Sequence, residues 1–244
     1  MSFTITLPLS GYAGWSFLKR TQARQEAALV ADAAQQRAET YFRARIAKVE
    51  TADQLVKDRR LLQVALGAFG LSEEIGKSYF IRKVLADGTD DKTDLANRLP
   101  DKRYAELAKT FQFDKSKPAT QAQGFADTII SSYRSQRFQE AVGAVDENMR
   151  LALFAQDQLP ELAGKTASDA AKWYTILGSS ALSKVFQGAL GLPSSFGALD
   201  IDMQVSMLER KSRQVLGVGS PSQLGEPEKI DKLIKLFLLK KDIR

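Results

Sequence analysis

The chain has 244 residues, of which 44% are apolar and 26% charged, and its formal net charge is +6. This is the composition of an ordinary globular protein that is long enough to bury one or two cores. The chain contains no cysteine and no histidine. Disulfides, thiolate nucleophiles and histidine-based catalysis or metal binding are therefore excluded within it.

Residues 1–20 are predicted to form an N-terminal arm. Phe3, Ile5 and Leu7 alternate with polar or turn-forming residues, a period-two pattern that suits a short strand or a docked extended segment. The basic residues of this segment follow its apolar part, and no uninterrupted apolar stretch precedes them. We therefore expect no secretory signal peptide.

Residues 21–114 are predicted to form a first helical repeat. A long helix is expected at 21–49, because apolar residues recur there at helical spacing along an alanine-rich face. Further helices are expected at 73–86, near 94–99 and at 102–113.

Residues 61–75 carry the strongest local signals of this first half. Apolar residues cover nearly every direction of a helix, and Gly70 then marks a stop at which glycine accepts the left-handed conformation. Ser72 is expected to cap the next helix. Two alternatives stay open before this stretch: one unbroken helix at 52–69, or a short helix followed by a helix capped by Asp58.

Residues 115–124 are polar and small and include a proline, which predicts a linker. A second helical repeat is expected at 125–244, although the sequence also allows both repeats to pack as one domain. The second repeat begins with a long helix, from about 126 to 158, that Pro160 is expected to stop. Its other helices are expected at 170–177, from a cap at Ser179 or Ser180 to a stop at Gly191, at 201–216 and at 227–242.

The two halves share a pattern around their glycine stops. Six pairs of residues are identical: Leu61/Leu182, Val64/Val185, Gly67/Gly188, Ala68/Ala189, Gly70/Gly191 and Leu71/Leu192. Asp32 also aligns with Asp146, ahead of the shared stretch. We therefore predict an all-α, multi-helix bundle built from two diverged tandem repeats, which allows a pseudo-twofold axis. A chance match of generic helical patterns is the alternative.

The acidic loop that contains Asp87, Asp90, Asp91 and Asp94 is the densest group of possible metal ligands. Its spacing does not match a calcium-binding loop, and helix capping and solvation explain these residues better. Carboxylates that are distant in sequence can still meet in a catalytic pair, but no pattern selects them. We therefore predict no catalytic residue, no metal site and no cofactor.

Basic residues give two candidate interaction surfaces. The pairs Arg59–Arg60, Arg82–Lys83 and Lys102–Arg103 can line a groove for an acidic partner, although a solvated surface is the simpler interpretation. The last helix offers a second surface for a partner or a membrane, the alternative being that it closes the core of the second repeat. The residues of this second surface are Lys229, Lys232, Lys235, Leu236, Leu239 and Lys240.

Several short motifs of the chain are familiar. They are Asp58 with Arg60-Leu61, Ala68-Phe69-Gly70-Leu71, Arg82-Lys83-Val84-Leu85, Ala96-Asn97-Arg98-Leu99, Asp101-Lys102-Arg103-Tyr104, Ile176-Leu177-Gly178 and Ala189-Leu190-Gly191-Leu192-Pro193. With these motifs the chain resembles, over residues 21–240, an alphaproteobacterial family of helical proteins of unknown function. Members of that family are often encoded beside flagellar genes. The resemblance implies a flagellar context and transfers no catalytic residue.

The resemblance and the lack of a recognisable catalytic pattern together predict a non-enzymatic, flagellum-associated protein. Its expected role is assembly, export or structural support through contacts with other flagellar or assembly proteins, in the cytoplasm or at the flagellum. If the protein is exported, the arm at 1–20 is the expected signal. The alternative is a basic binding module for nucleic acid or an anionic membrane surface, with nucleic acid the less favoured partner because no long Lys/Arg run exists. No apolar stretch is long enough for a transmembrane helix, and the oligomeric state is left open.

Overall fold

The computed structural model describes residues 3–242, and the side chains of residues 3–240. The chain is 76% helical and, within the described part, has no strand, so the predicted all-α fold class is confirmed. The α-helices of this part are α1 (Gly11–Ala31), α2 (Ala33–Arg45), α3 (Ala52–Lys57), α4 (Arg59–Gly67), α5 (Ser78–Asp87), α6 (Leu95–Arg98), α7 (Arg103–Phe111), α8 (Phe125–Gly143), α9 (Glu147–Gly164), α10 (Asp169–Gly178), α11 (Ser180–Leu190), α12 (Ile201–Leu216) and α13 (Pro227–Asp242). Short 3₁₀ helices cover Ile46–Lys48, Ser72–Gly76, Ala119–Gln121, Ser194–Ala198 and Pro221–Gly225.

The chain divides into two compact units. Unit 1 takes the residues up to Thr4 and Ala23–Phe138, and unit 2 takes Ile5–Gln22 and the chain from Gln139 onward. This division does not coincide with the predicted linker at 115–124, which lies inside unit 1. Thr120, in the middle of that segment, is buried, and its hydroxyl donates to the Val49 carbonyl at 2.6 Å. The polar composition therefore marks an anchored loop and not a boundary.

The N-terminal segment also differs from the predicted arm at 1–20, because α1 begins at Gly11. Trp15 and Leu18 are buried and lie at helical spacing, and this spacing outweighs the small polar residues around them. Ahead of α1 the alternation does hold: Ile5 is buried, whereas Thr4 and Thr6 are exposed. The composition of residues 1–20 therefore predicts an arm, whereas the segment from Gly11 onward folds as a helix.

Each of the two long helices predicted from periodicity is broken at an aspartate. Asp32 separates α1 from α2, where its carboxylate accepts hydrogen bonds from the amides of Ala34 and Gln35. Asp146 precedes α9 and accepts from the Met149 amide at 3.0 Å. An aspartate at such a position satisfies the free amides of a helix start. The predicted stop at Pro160 is wrong, since α9 continues to Gly164.

Unit 1 is packed around α4. Asp58 caps this helix by accepting from the amides of Arg60 and Leu61, so α3 and α4 are separate helices. The buried residues of α4 share one core cluster with residues of α2, α7 and α8. This cluster includes Phe42, Leu61, Leu66, Phe111, Phe125, Ile130 and Tyr133.

The stop predicted at Gly70 is present. Gly70 has a φ of +66°, and the Leu71 amide donates to the Leu66 carbonyl at 2.9 Å. This is the bond of a Schellman-type helix end. The following segment is a 3₁₀ helix whose N-cap is Leu71 and not Ser72, so the predicted helix 73–86 begins only at α5. Tyr79, near the start of α5, is 73% exposed.

Unit 2 is packed around α11, α9 and α13. Ser179 caps α11 by accepting from the Leu182 amide, and Gly191 ends it with a φ of +65°. The Leu192 amide then donates to the Gln187 carbonyl at 3.0 Å. The predicted bounds of α12 and α13 agree with the structure, and Ile201, the first residue of α12, is 48% exposed.

The two glycine stops thus have the same local geometry in their own units. In each unit a capped core helix (α4 or α11) ends at a left-handed glycine, a 3₁₀ helix follows, and an amphipathic helix (α5 or α12) comes next. This order agrees with the predicted duplication. Common descent of the two halves stays a prediction, because like elements can also arise without it.

Candidate functional site

The predicted surface on α13 is only partly free. The Lys240 ammonium donates to the Ala189 carbonyl at 2.8 Å, near the end of α11, and the Lys235 ammonium lies 5.4 Å from the centre of the Tyr12 ring. Leu236 is half-buried and Leu239 is 39% exposed. The opposite stripe of the helix is fully part of the core of unit 2, and consists of Ile230, Leu233, Ile234, Phe237 and Leu238. α13 is therefore largely a core helix, and its role as an interaction surface stays a prediction.

Two of the three basic pairs are used within unit 1. Lys102 donates to backbone carbonyls at 3.0 Å, and Arg103 binds the Asp101 carboxylate and donates to the Gly70 carbonyl. Arg82 lies 5.1 Å from the Tyr79 ring and Lys83 pairs with a carboxylate one turn further on. These side chains hold the local structure together.

The Arg59–Arg60 pair behaves differently, because it lines an exposed groove. Tyr41 of α2 lines it together with side chains of α3, of the first turn of α4 and of the residue between these two helices. Leu61 and Leu62 point into the core, which turns the two preceding arginines toward solvent. We call this surface the basic groove, and it is lined by Tyr41, Gln54, Lys57, Asp58, Arg59 and Arg60, with Arg45 at its edge.

Two arginines of the basic groove lie on the same aromatic ring. The guanidinium carbon of Arg60 is 3.6 Å from the centre of the Tyr41 ring, and that of Arg45 is 5.0 Å from it. Arg45 follows Tyr41 by one helical turn, whereas Arg60 is brought in by α4. Such cation–π contacts stabilise the position of a guanidinium group by about 0.5–1 kcal/mol at exposed sites.

The acidic side chain of the basic groove is already fully engaged. Asp58 accepts the Tyr41 hydroxyl at 2.7 Å as well as the two backbone amides at the start of α4. Partial burial raises the pKa of Asp58. These hydrogen bonds together lower it by more than burial raises it, so the pKa lies below its usual value. The hydrogen bond to Asp58 in turn raises the pKa of Tyr41. Asp58 is therefore a charged cap and Tyr41 a neutral donor.

The remaining charges of the basic groove are mostly uncompensated. Lys57 pairs with Asp53 at 2.7 Å. Arg45, Arg59 and Arg60 are exposed and form no ion pair with the part of the chain that the structure describes. Two guanidinium groups thus lie on one aromatic ring and Arg59 lines the same groove, an arrangement suited to carboxylate or phosphate oxygens.

The acidic loop makes its hydrogen bonds internally. Asp91 accepts from the amide and hydroxyl of Thr93 at 2.7 Å, and Asp94 accepts from the Asp91 amide at 2.8 Å. Asp90 pairs with Lys115. The described residues bring no group of acidic side chains together as metal ligands, and none of the helices in residues 3–242 combines the length and apolar character needed to cross a bilayer.

Sequence reasoning named Arg59 and Arg60 but missed Tyr41 and Arg45. The spacing of one helical turn between Tyr41 and Arg45 was available as a signal. No such local signal predicts the packing of α4 against α2, which brings Arg60 onto the Tyr41 ring.

Comparison with known proteins places the chain in a structural family. The X-ray crystal structure of protein AGR_C_984 from Agrobacterium tumefaciens is similar to it, with a TM-score of 0.77 and 28% sequence identity over 98% of both chains. No curated protein matches the chain. The model of one family, described as a protein of unknown function (DUF1217), matches residues 68–230. This match covers more than half of the sequence, and the chain therefore belongs to the DUF1217 family.

Proposed function

We propose that the chain is a non-enzymatic protein of the bacterial flagellar system. It acts in assembly, in export or as a structural accessory, through contacts with other flagellar or assembly proteins. The flagellar context is supported by the resemblance of its motifs to a family often encoded beside flagellar genes. Binding as the mode of action is supported by one observation, the exposed basic groove with its unpaired guanidinium groups.

The composition of the basic groove suits a protein contact. Arginine and tyrosine are enriched among the residues that dominate binding energy at protein interfaces. Tyr41 is held by Asp58 and by the core of unit 1, so its ring offers a fixed support for Arg45 and Arg60. Side chains that are already ordered lose less conformational entropy when a partner binds.

Deletion and complementation test this proposal. We expect a strain that lacks the gene to lose motility or normal filaments, and the wild-type gene to restore them. A variant with Arg45, Arg59 and Arg60 changed to glutamine should fold but fail to complement, and affinity purification of the variant should recover fewer flagellar proteins. Normal motility and normal filaments in the deletion strain would reject the flagellar role.

A second candidate function uses the same groove. Guanidinium groups on an aromatic ring also suit phosphate, so a module for nucleic acid or an anionic membrane surface is the alternative. It requires binding to oligonucleotides or anionic vesicles that weakens steeply with salt. Absence of such binding at low salt would remove this candidate.

A further inference from the structure

We infer that the basic groove binds an acidic segment of a partner protein, and that Arg45, Arg59 and Arg60 hold its carboxylates. This inference rests on the proposed function, because it names the partner chemistry for the same surface. It follows from the charge balance of the groove, from the geometry of the guanidinium groups and from the charges around them.

The charge balance favours an anionic occupant. Asp58 is the carboxylate that lines the groove, and its oxygens are taken by Tyr41 and by two backbone amides. Among the described residues, Asp58 therefore forms no hydrogen bond with the guanidinium groups of Arg59 and Arg60, and its single negative charge stands against the positive charges of three arginines. A ligand that supplies carboxylates forms the charge-assisted hydrogen bonds that the groove itself leaves unmade.

The geometry favours carboxylates held by two hydrogen bonds each. A guanidinium group in contact with an aromatic ring uses its flat face, whereas its N–H donors lie along its edges. Arg60 is 3.6 Å from the Tyr41 ring centre and is exposed, so its donors remain available. Arg–carboxylate pairs are frequently bidentate, which adds specificity for planar carboxylates over a simple point charge.

The surroundings favour a short acidic segment over a polyphosphate. Glu50 and Asp53 are exposed just before the groove residues of α3 and α4. A nucleic acid binds through an extended run of phosphate contacts, which the Asp53 carboxylate, held next to the groove by Lys57 at 2.7 Å, disfavours. A peptide places its carboxylates singly and can pass such positions with a neutral residue.

The experiment measures binding of a short fluorescein-labelled peptide of alternating glutamate and alanine to the purified full chain, by fluorescence anisotropy. We expect saturable binding that weakens with added salt. Changing Arg45, Arg59 or Arg60 singly to glutamine should weaken binding about tenfold, and the triple variant should not bind. Arg60→Lys keeps the positive charge but loses the planar set of N–H donors that holds a carboxylate by two hydrogen bonds. This variant should therefore bind the peptide more weakly than wild type.

The matched control changes three exposed arginines elsewhere, Arg24, Arg98 and Arg210, to glutamine. It lowers the net charge by the same amount and should leave the affinity unchanged, with circular dichroism confirming that both triple variants are folded. A peptide with glutamine in place of glutamate should not bind. Equal weakening by the control variant, or full affinity of Arg60→Lys, would show that net charge alone acts, and would overturn the inference.

Further arms separate the inference from its alternatives. Tighter binding of a single-stranded oligonucleotide or of phosphatidylserine vesicles than of the glutamate peptide overturns it, as does a lack of peptide binding. Peptide binding together with normal motility of the deletion strain upholds the inference and rejects the flagellar role. Lost motility of the deletion strain without peptide binding upholds the flagellar role and overturns the inference.

Discussion

The ion pair between Glu39 and Arg134 gives the sharpest stability prediction. The Glu39 side chain, on α2, is only 5% exposed. The Arg134 Nε donates to it at 2.8 Å, a second guanidinium nitrogen binds its other oxygen, and Gln35 donates at 2.8 Å. Replacement of Arg134 with methionine removes both guanidinium bonds and leaves a buried carboxylate with Gln35 alone.

The expected cost follows from burial. Removing one partner of a fully buried ion pair costs about 3–5 kcal/mol, because the other charge remains uncompensated. The Arg134 side chain is 38% exposed, so water can reach the carboxylate after truncation and the cost falls below that range. We expect Arg134→Met to lower the free energy of unfolding by about 2–3 kcal/mol, and the Tm by roughly 4–12 °C.

The pH dependence gives a second readout of the same pair. Burial raises the pKa of Glu39, but hydrogen bonds from Arg134 and Gln35 and the nearby arginine charges bring it below the ordinary value of 4.5. A lowered folded-state pKa contributes stability that is fully present above the unfolded value and is lost as the pH falls through the folded one. Removal of Arg134 leaves burial as the main influence and raises the Glu39 pKa in the variant. The difference between wild type and Arg134→Met should therefore be full well above this raised pKa and shrink as the pH falls through it toward the lower wild-type value.

Urea unfolding followed by circular dichroism measures both effects. The matched control is the double variant Glu39→Gln with Arg134→Met, which removes the buried charge together with its partner and should recover most of the lost stability. Equal unfolding midpoints of wild type and Arg134→Met at neutral pH would refute the reasoning. So would a difference that persists unchanged in acid.

The remaining predictions concern the glycine stops and a buried lysine. Gly70→Ala and Gly191→Ala place a Cβ at φ values of +66° and +65°, and each should lower the free energy of unfolding by about 1–2 kcal/mol in chemical denaturation. The control is Gly178→Ala, where an added Cβ meets nothing within 4 Å, and it should not destabilise the protein. A loss of stability at Gly178 as large as at the two stops would contradict the argument. Lys172 is 4% exposed and its ammonium donates to the Ala163 carbonyl at 2.7 Å and to the Ser222 hydroxyl at 2.8 Å. Lys172→Met leaves both acceptors without this donor and should cost about 1–3 kcal/mol, which an unchanged urea midpoint would disprove.

Much of the fold is predictable because its signals are local. Of the two alternatives at 52–69, the one with a cap at Asp58 is the one that forms, and Ser179, one of the two expected cap positions, caps α11. Gly70 and Gly191 were expected as stops, and both have a positive φ. A cap or a stop depends on a few neighbouring atoms, so sequence alone suffices for it.

The errors arise where two local signals compete or where a distant contact decides. At Asp32 and Asp146 the helical periodicity continued across an aspartate cap, and the cap prevailed. The alignment of these two aspartates between the halves is therefore the signal of a helix start in each half. Tyr79 follows the periodicity of a helix that in fact begins later, and it is exposed. Periodicity reports an average over several turns, whereas a single capping carboxylate resets the helix.

The basic groove lies outside the region that the family model matches, although Asp58 and Arg60 belong to the motifs of the resemblance. The family match begins at Ala68, beyond Arg60, the last residue of the basic groove along the chain. Within the matched region, Arg103 holds the Gly70 carbonyl while bound to Asp101, so the recognisable motif serves to fix a helix end. The match to the family model therefore carries no information about the ligand of the groove. Variants at Gly70 or Arg103 would change folding and function together. Substitutions of the exposed guanidinium groups at Arg45, Arg59 and Arg60 can separate the two, and functional tests should begin there.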